Sequence, residues 1–227
     1  MIYVINIRRK LESIKKEFPN AYILDVTSTS NINYAKWLSP FFPHGNIPIP
    51  GDSHGMTATC VEAIWQGLKV FQSQGISLST FQNRTMKGLK RTVKRLGKPK
   101  GHQFGVYSNE ILDYYTARMK IYLPAYKYVL DNIDYVHRVI EHLKQQSLIS
   151  DIVLLDYNTN INIEDTNSPL SHAGLIKLYI EGNYPSEKEL KEVDCSINGK
   201  VKIRNKRKRR SEVNSSTTEP SLFNFEE

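Results

Sequence analysis

The stretch TCVEAIWQGLKVF, residues 59–71, sets the reading of the fold. Val61, Ile64, Trp65, Leu68 and Phe71 recur at helical spacing as one apolar stripe, which predicts a core-facing helix from Val61 to about Phe71. A different face carries Glu62, Gln66 four residues on and Lys69 three beyond, so a carboxylate, an amide and an amine stand in one row. Such a row can position water, hydrogen-bond a ribose and meet a phosphate. The same spacing admits a structural alternative, with Thr59 as N-cap and Glu62 as its reciprocal partner in a capping box. Trp65 can stack on a base, while its place in the stripe points to the core.

Upstream, the β-branched run from Ile2 to Ile7, an amphipathic stretch over 8–18 and an apolar run over 21–26 predict a small βαβ unit. Residues 27–58 are rich in Thr, Ser, Asn, Pro and Gly, with four prolines between 40 and 50, yet they also carry Trp37, Leu38, Phe41 and Phe42. That mixture predicts a long ordered loop, a usual place for functional groups. Downstream, helices are expected over 80–96, 109–131 and 132–147, with Pro124 starting or kinking one. A buried strand at 152–155, an Asn- and Asp-rich loop and a last helix over 172–181 follow. The fold class is therefore α+β, mainly helical with a small sheet. It occupies a globular domain at 1–195, followed by a disordered basic tail at 196–227.

The chain has 227 residues and a net charge of +8. Residues 200–210 hold eight Lys or Arg and no acid, and without them 23 bases face 23 acids. A neutral domain carrying an electrostatic tether is expected, rather than a domain that wraps DNA. Lys206, Arg207, Lys208, Arg209 and Arg210 can hold nucleic acid, or direct the chain to the nucleus of a eukaryotic host. At the tip, EPSLFNFEE (219–227) places Leu222, Phe223 and Phe225 in a pattern resembling peptides that dock replication proteins on a sliding clamp. Cys60 and Cys195 stand in no metal or disulfide pattern, and no long apolar run is present. A cytoplasmic protein with no membrane partner is expected. The histidines show no metal-ligand spacing, so neither metal nor cofactor is expected.

Other polar candidates are spread along the chain. His44 lies in a Pro-His-Gly turn. Arg84, Lys87, Lys90, Arg91, Lys94, Arg95, Lys98 and Lys100 form a basic series in which Lys87, Lys90/Arg91 and Lys94 would share a helix face as a phosphate track. Asn158 and Asn160 follow the buried strand, and strand ends are where α/β folds bind ligands.

The segments SPFF (39–42), VEAIWQGLK (61–69), KGLKR (87–91), RMKIYLPAYKY (118–128), IVLLD (152–156) and PLSHAGLI (169–176) follow one another in an order that resembles the NADAR superfamily, over roughly residues 37–181. The family's Trp-Gly-x-Gly segment before the last helix is replaced here by DYNTN (156–160), and the loop at 43–50 is not typical of it. The resemblance implies an enzyme that cleaves N-glycosidic bonds in a nucleotide, an ADP-ribose conjugate or a modified nucleobase, on nucleic acid or free. It implies Glu62 and Asp156 as the two carboxylates of that chemistry. It gives Trp65, Lys69, Lys90 and Arg91 to the substrate, the cations taking phosphates. Gln66, Arg118 and His172 are substrate candidates within the segments that carry it, and His44, Asn158 and Asn160 are candidates from their own turn and strand-end positions. The alternative is a non-catalytic accessory protein that binds nucleotides or nucleic acid and docks on a clamp through its tail.

Overall fold

The computed structural model describes residues 1–185. The first three elements form where expected: β1 (Ile2–Asn6), α1 (Leu11–Glu17) and β2 (Tyr22–Asp25). The two strands do not pair with each other. The late strand β8 (Ile152–Asp156) slots between them, parallel to both, with Ile152 opposite Ile2 on one side and Tyr22 on the other. All five residues of β8 are buried, as suits the central strand of a parallel sheet covered on both faces. Side chains alternate across this sheet. Val153 and Leu155 join Ile14 of α1 on one face, while Ile2, Leu24, Ile152 and Leu154 enter the main core on the other.

The polar loop after β2 is ordered. It contains one helical turn, α2 (Asn33–Lys36), and a two-stranded antiparallel pair, β3 (Ile47–Pro48) with β4 (Thr57–Ala58). Then comes α3 (Val61–Leu68), which ends earlier than its stripe predicts. Lys69–Phe71 is a strand, β5, drawn into a second sheet by β6 (Pro99–Gln103), with β7 (Ile111–Leu112) beyond it. All eight residues of α3 are buried, so the helix runs through the core instead of lying on it. That placement carries the polar row of α3 inside the protein.

Gly67 lets α3 approach α4 (Leu78–Phe81): a Cβ there would overlap the Phe81 ring. Gly67→Ala should therefore destabilise the protein by about 1–3 kcal/mol, because overpacking outweighs the gain in helix propensity. A urea denaturation midpoint measures it.

The helix expected over 80–96 is replaced by two single turns, α4 and α5 (Val93–Leu96). Between them the Asn83 side chain donates to the Lys87 carbonyl and accepts from Thr85, and Met86 and Gly88 take positive φ. Lys87, Lys90 and Lys94 thus share no helix face.

Further on, α6 (Tyr114–Ala117) runs through a π turn (Arg118–Tyr122) into α7 (Leu123–Asn132). Pro124 lies in the first turn of α7, where its missing N–H is tolerated and the wider turn before it relieves the ring. The turn carries Tyr122 into the core. The long helix α8 (Asp134–Ile149) leads to β8, and α9 (His172–Ile180) ends the set. No helix among the described residues is long and apolar enough to cross a membrane.

Candidate functional site

The N-terminus of α3 is capped without Glu62. Cys60 is the N-cap, its Sγ accepting from the Ala63 N–H, while Thr59 donates from its hydroxyl to the carbonyls of Phe81 and Asn83. No capping box forms, and the Glu62 side chain is left for other use. The Glu62 N–H donates to the Pro40 carbonyl, which ties α3 to the SPFF loop.

Glu62 is 2 % exposed. Its Oε1 accepts a 2.8 Å hydrogen bond from Gln66 Nε2, and its Oε2 has no partner. Burial pushes its carboxyl from 4.5 up to about 7, against the opposing pull of Gln66, Lys69 and Lys90. Close by are two further groups that lack partners. Tyr122 is buried with its hydroxyl unpaired, and burial, then the charge of Glu62, holds its proton well above the usual range. His102, opposite Lys69 in the β5–β6 register, has both ring nitrogens unpaired; burial and then Lys69 keep the ring neutral. Trp65 joins them, 3.8 Å from the His102 ring and 5.7 Å from Tyr122, centroid to centroid. Buried polar atoms normally find partners, so unpaired groups on three side chains of one buried cluster set it apart from the rest of the core.

Covering increases along this row. Lys90 is exposed and Lys69 is 9 % exposed, followed by Gln66 at 4 % and Glu62 at 2 %. The row therefore runs from the core toward the basic segment at the surface. Arg91 holds that segment in place: its guanidinium donates to the carbonyls of Gln66, Lys69 and Gly75, and its N–H donates to Gln66 Oε1. With these contacts made, Arg91 orients Gln66 and joins the segment to α3, in place of the phosphate grip expected of it.

Asp156 stands elsewhere. Its Oδ2 accepts from the Ser171 hydroxyl at 2.7 Å and from the Ala173 N–H, lies 3.0 Å from His172 Nδ1, and its Oδ1 accepts from the Tyr157 N–H. His172 Nε2 lies 2.9 Å from the Val26 carbonyl, so both ring nitrogens face oxygen atoms, an arrangement that favours the protonated ring. Both groups lie inside the protein, joining the ends of β8 and β2 to the start of α9. The expectation of Asp156 as a second catalytic carboxylate, and of His172 as a substrate ligand, is corrected accordingly: each is committed to a structural ion pair. Burial is the largest influence on both and opposes both charges, yet the pairing outweighs it, lowering the Asp156 pKa and raising that of His172.

The sign of the pH dependence follows. The carboxylate's contribution is present above its unfolded value of 3.8 and is lost as pH falls through the depressed folded value. The imidazolium's contribution is full below 6.5 and is lost as pH rises through the elevated one. The difference in urea midpoint between the wild type and His172→Gln should be greatest between those limits and shrink on either side.

The remaining candidates have structural partners. Arg118 is 1 % exposed and donates to the carbonyls of Ile163, Asp165 and Ser168, pinning the loop after β8. Asn160 donates to the carbonyls of Asp165 and Ser168 in the same loop, and Asn158 is half-buried there. His44 shares a 2.7 Å hydrogen bond with the Tyr135 hydroxyl, in an aromatic cluster with Trp37 and Phe42, and burial lowers it to about 4. Sequence reasoning missed Tyr122 and His102. The only local signals were a tyrosine-rich helix and a histidine in a glycine-flanked strand. Among the described residues no His, Cys, Asp and Glu group is placed to hold a metal. Cys195, Lys206–Arg210 and Leu222, Phe223 and Phe225 lie outside the described residues.

A family model spans β1 to the middle of α9, residues 6–176, and takes in every member of the Glu62 cluster. The chain belongs to DUF6939. This is a family of unknown function. A comparison with curated proteins gave no match. The DUF6939 domain thus holds in one buried cluster a carboxyl with its pKa raised to about 7, a phenol, a neutral imidazole and an indole, with Lys69 and Lys90 close to the carboxyl.

Proposed function

We propose that this protein is a hydrolase that cleaves an N-glycosidic bond in a nucleotide-like substrate, with Glu62 as its catalytic carboxylate. The unpaired, buried Oε2 of Glu62, with its pKa at about 7, carries the reading. Catalytic carboxyls are tuned toward the working pH by burial, and this one has no structural duty that needs the second oxygen. In the ionised form it orients a water and stabilises the positive charge that develops on the sugar as the base departs. Gln66 fixes its rotamer through Oε1. The Tyr122 hydroxyl and the His102 nitrogens offer hydrogen bonds to the base or sugar, and Lys69 and Lys90 meet phosphate. With Asp156 withdrawn into its ion pair, one carboxylate serves. That suits a dissociative reaction in which the base leaves ahead of water attack, in contrast to the two-carboxylate scheme of ordinary glycosidases.

The resemblance to the NADAR superfamily is part of this proposal, and it covers the same α3 row. A second reading has its own support. The exposed cations of the segment that Arg91 holds against α3 also suit holding a phosphate-bearing group without turnover. Incubating the full chain with a panel of nucleosides, nucleotides and ADP-ribose conjugates, and separating the products chromatographically, tests both. Release of free base by the wild type and none by Glu62→Gln is the expected result. Saturable binding with no release by either supports the accessory reading.

A further inference from the structure

We infer that the basic segment between α4 and β6 is a phosphate track for a single-stranded nucleic acid, and that it presents one nucleotide of that strand to the Glu62 cluster. The inference rests on the glycosidase reading and names its substrate class. Charge distribution supplies the first argument. From residue 63 to residue 109 the chain holds nine Lys or Arg and no acid, whereas the other described residues hold 12 bases against 15 acids. The described residues are thus not neutral, as the whole-chain arithmetic suggests, because eight of the 23 acids lie beyond residue 185. Their positive charge is concentrated in one stretch of chain.

Placement supplies the second. Arg91 binds this stretch to α3 through hydrogen bonds to Gln66 and the Lys69 carbonyl, so it lies beside the surface end of the Glu62 row. Arg84, Lys87, Lys90, Lys94, Arg95 and Lys98 are all exposed. One nucleotide needs one or two of these cations for its phosphates. Six exposed cations in one stretch of chain exceed that need and suit a backbone with a phosphate at every step. Exposed Lys and Arg with no acid among them suit the regular charge of a nucleic-acid backbone, and binding of an acidic polypeptide is the competing outcome of the test.

The test uses the full chain and a fluorescein-labelled single-stranded 20-mer, in DNA and RNA forms, with anisotropy read across a salt series. Lys94→Glu/Arg95→Glu/Lys98→Glu changes exposed side chains only, and a circular dichroism melt verifies its fold. A variant with Lys206, Arg207 and Lys208 changed to Glu gives the tail's share. Loss of three phosphate contacts should lower the slope of log K against log salt by about 2, with affinity falling at least tenfold at about 0.1 M salt. Unchanged affinity and slope in the first triple variant would overturn the inference, as would displacement of the strand by poly-glutamate at the same charge concentration as unlabelled oligonucleotide. Base release from the strand is scored separately with Glu62→Gln. Release by that variant would remove the glycosidase reading, while the binding arms would still decide the track.

Discussion

Glu62→Gln should slow turnover by orders of magnitude while making the folded protein more stable at pH 8. The two effects have one origin. A rise in carboxyl pKa from 4.5 to about 7 means that the native state holds the ionised form at a cost of about 3 kcal/mol. For an acid with a raised folded value, the penalty is absent below 4.5, grows as pH climbs from there to about 7, and is constant above. Glutamine keeps the shape and carries no charge, so the variant's gain in urea midpoint should be near zero at pH 4 and greatest at pH 8. Its rate of base release should fall by about 10²–10⁴, the range for losing a positioned acid–base group. Wild-type activity should rise with pH through about 7, because the ionised form is the active one. A Glu62→Gln variant that is less stable than wild type at pH 8 would mean that the carboxylate has a structural partner, and the site would lose its chemical basis.

Asp156→Ala should be the most destabilising single change in the protein, at about 3–5 kcal/mol. The loss is that of one partner from a buried ion pair, which strands the other. His172 would keep its Val26 contact but lose the counter-ion that holds its proton, and Ser171 and the Ala173 N–H would lose their acceptor at the start of α9. Because the stranded imidazolium is the larger part of that cost, Asp156→Ala/His172→Ala should cost less than the two single changes added together. Thermal unfolding of the four proteins at pH 6 gives the coupling. Additive losses would show that the pair contributes only separate hydrogen bonds. Any activity that Asp156→Ala loses should return when the protein is measured under conditions that keep it folded.

Much of the layout could be read locally. The apolar runs at 2–6, 22–25 and 152–156 are strands because short β-branched stretches have few other ways to be buried. The stripe from Val61 gives a helix for the same reason. The misreadings occur where a distant partner decides. Lys69–Phe71 continue the helical pattern of α3, yet β6, some thirty residues later, recruits them into a sheet. The stretch 80–96 has helical composition, and the Asn83 turn breaks it. The pairing of Asp156 with Glu62 rests on the family resemblance alone, and the sequence offers no way to see that His172 and Ser171 hold Asp156.

The sequence by itself determined the α+β class, the buried strands, the α3 row of Glu62, Gln66 and Lys69, and the concentration of cations after it, since periodicity and charge are properties of neighbours along the chain. Only the tertiary structure decided that β8 parts β1 from β2, that α3 is buried on every side, and that Tyr122 and His102 meet Glu62. Desolvation and pairing depend on what surrounds a group in space. The same carboxyl therefore becomes a half of an ion pair at 156 and an unpaired acid titrating near neutrality at 62.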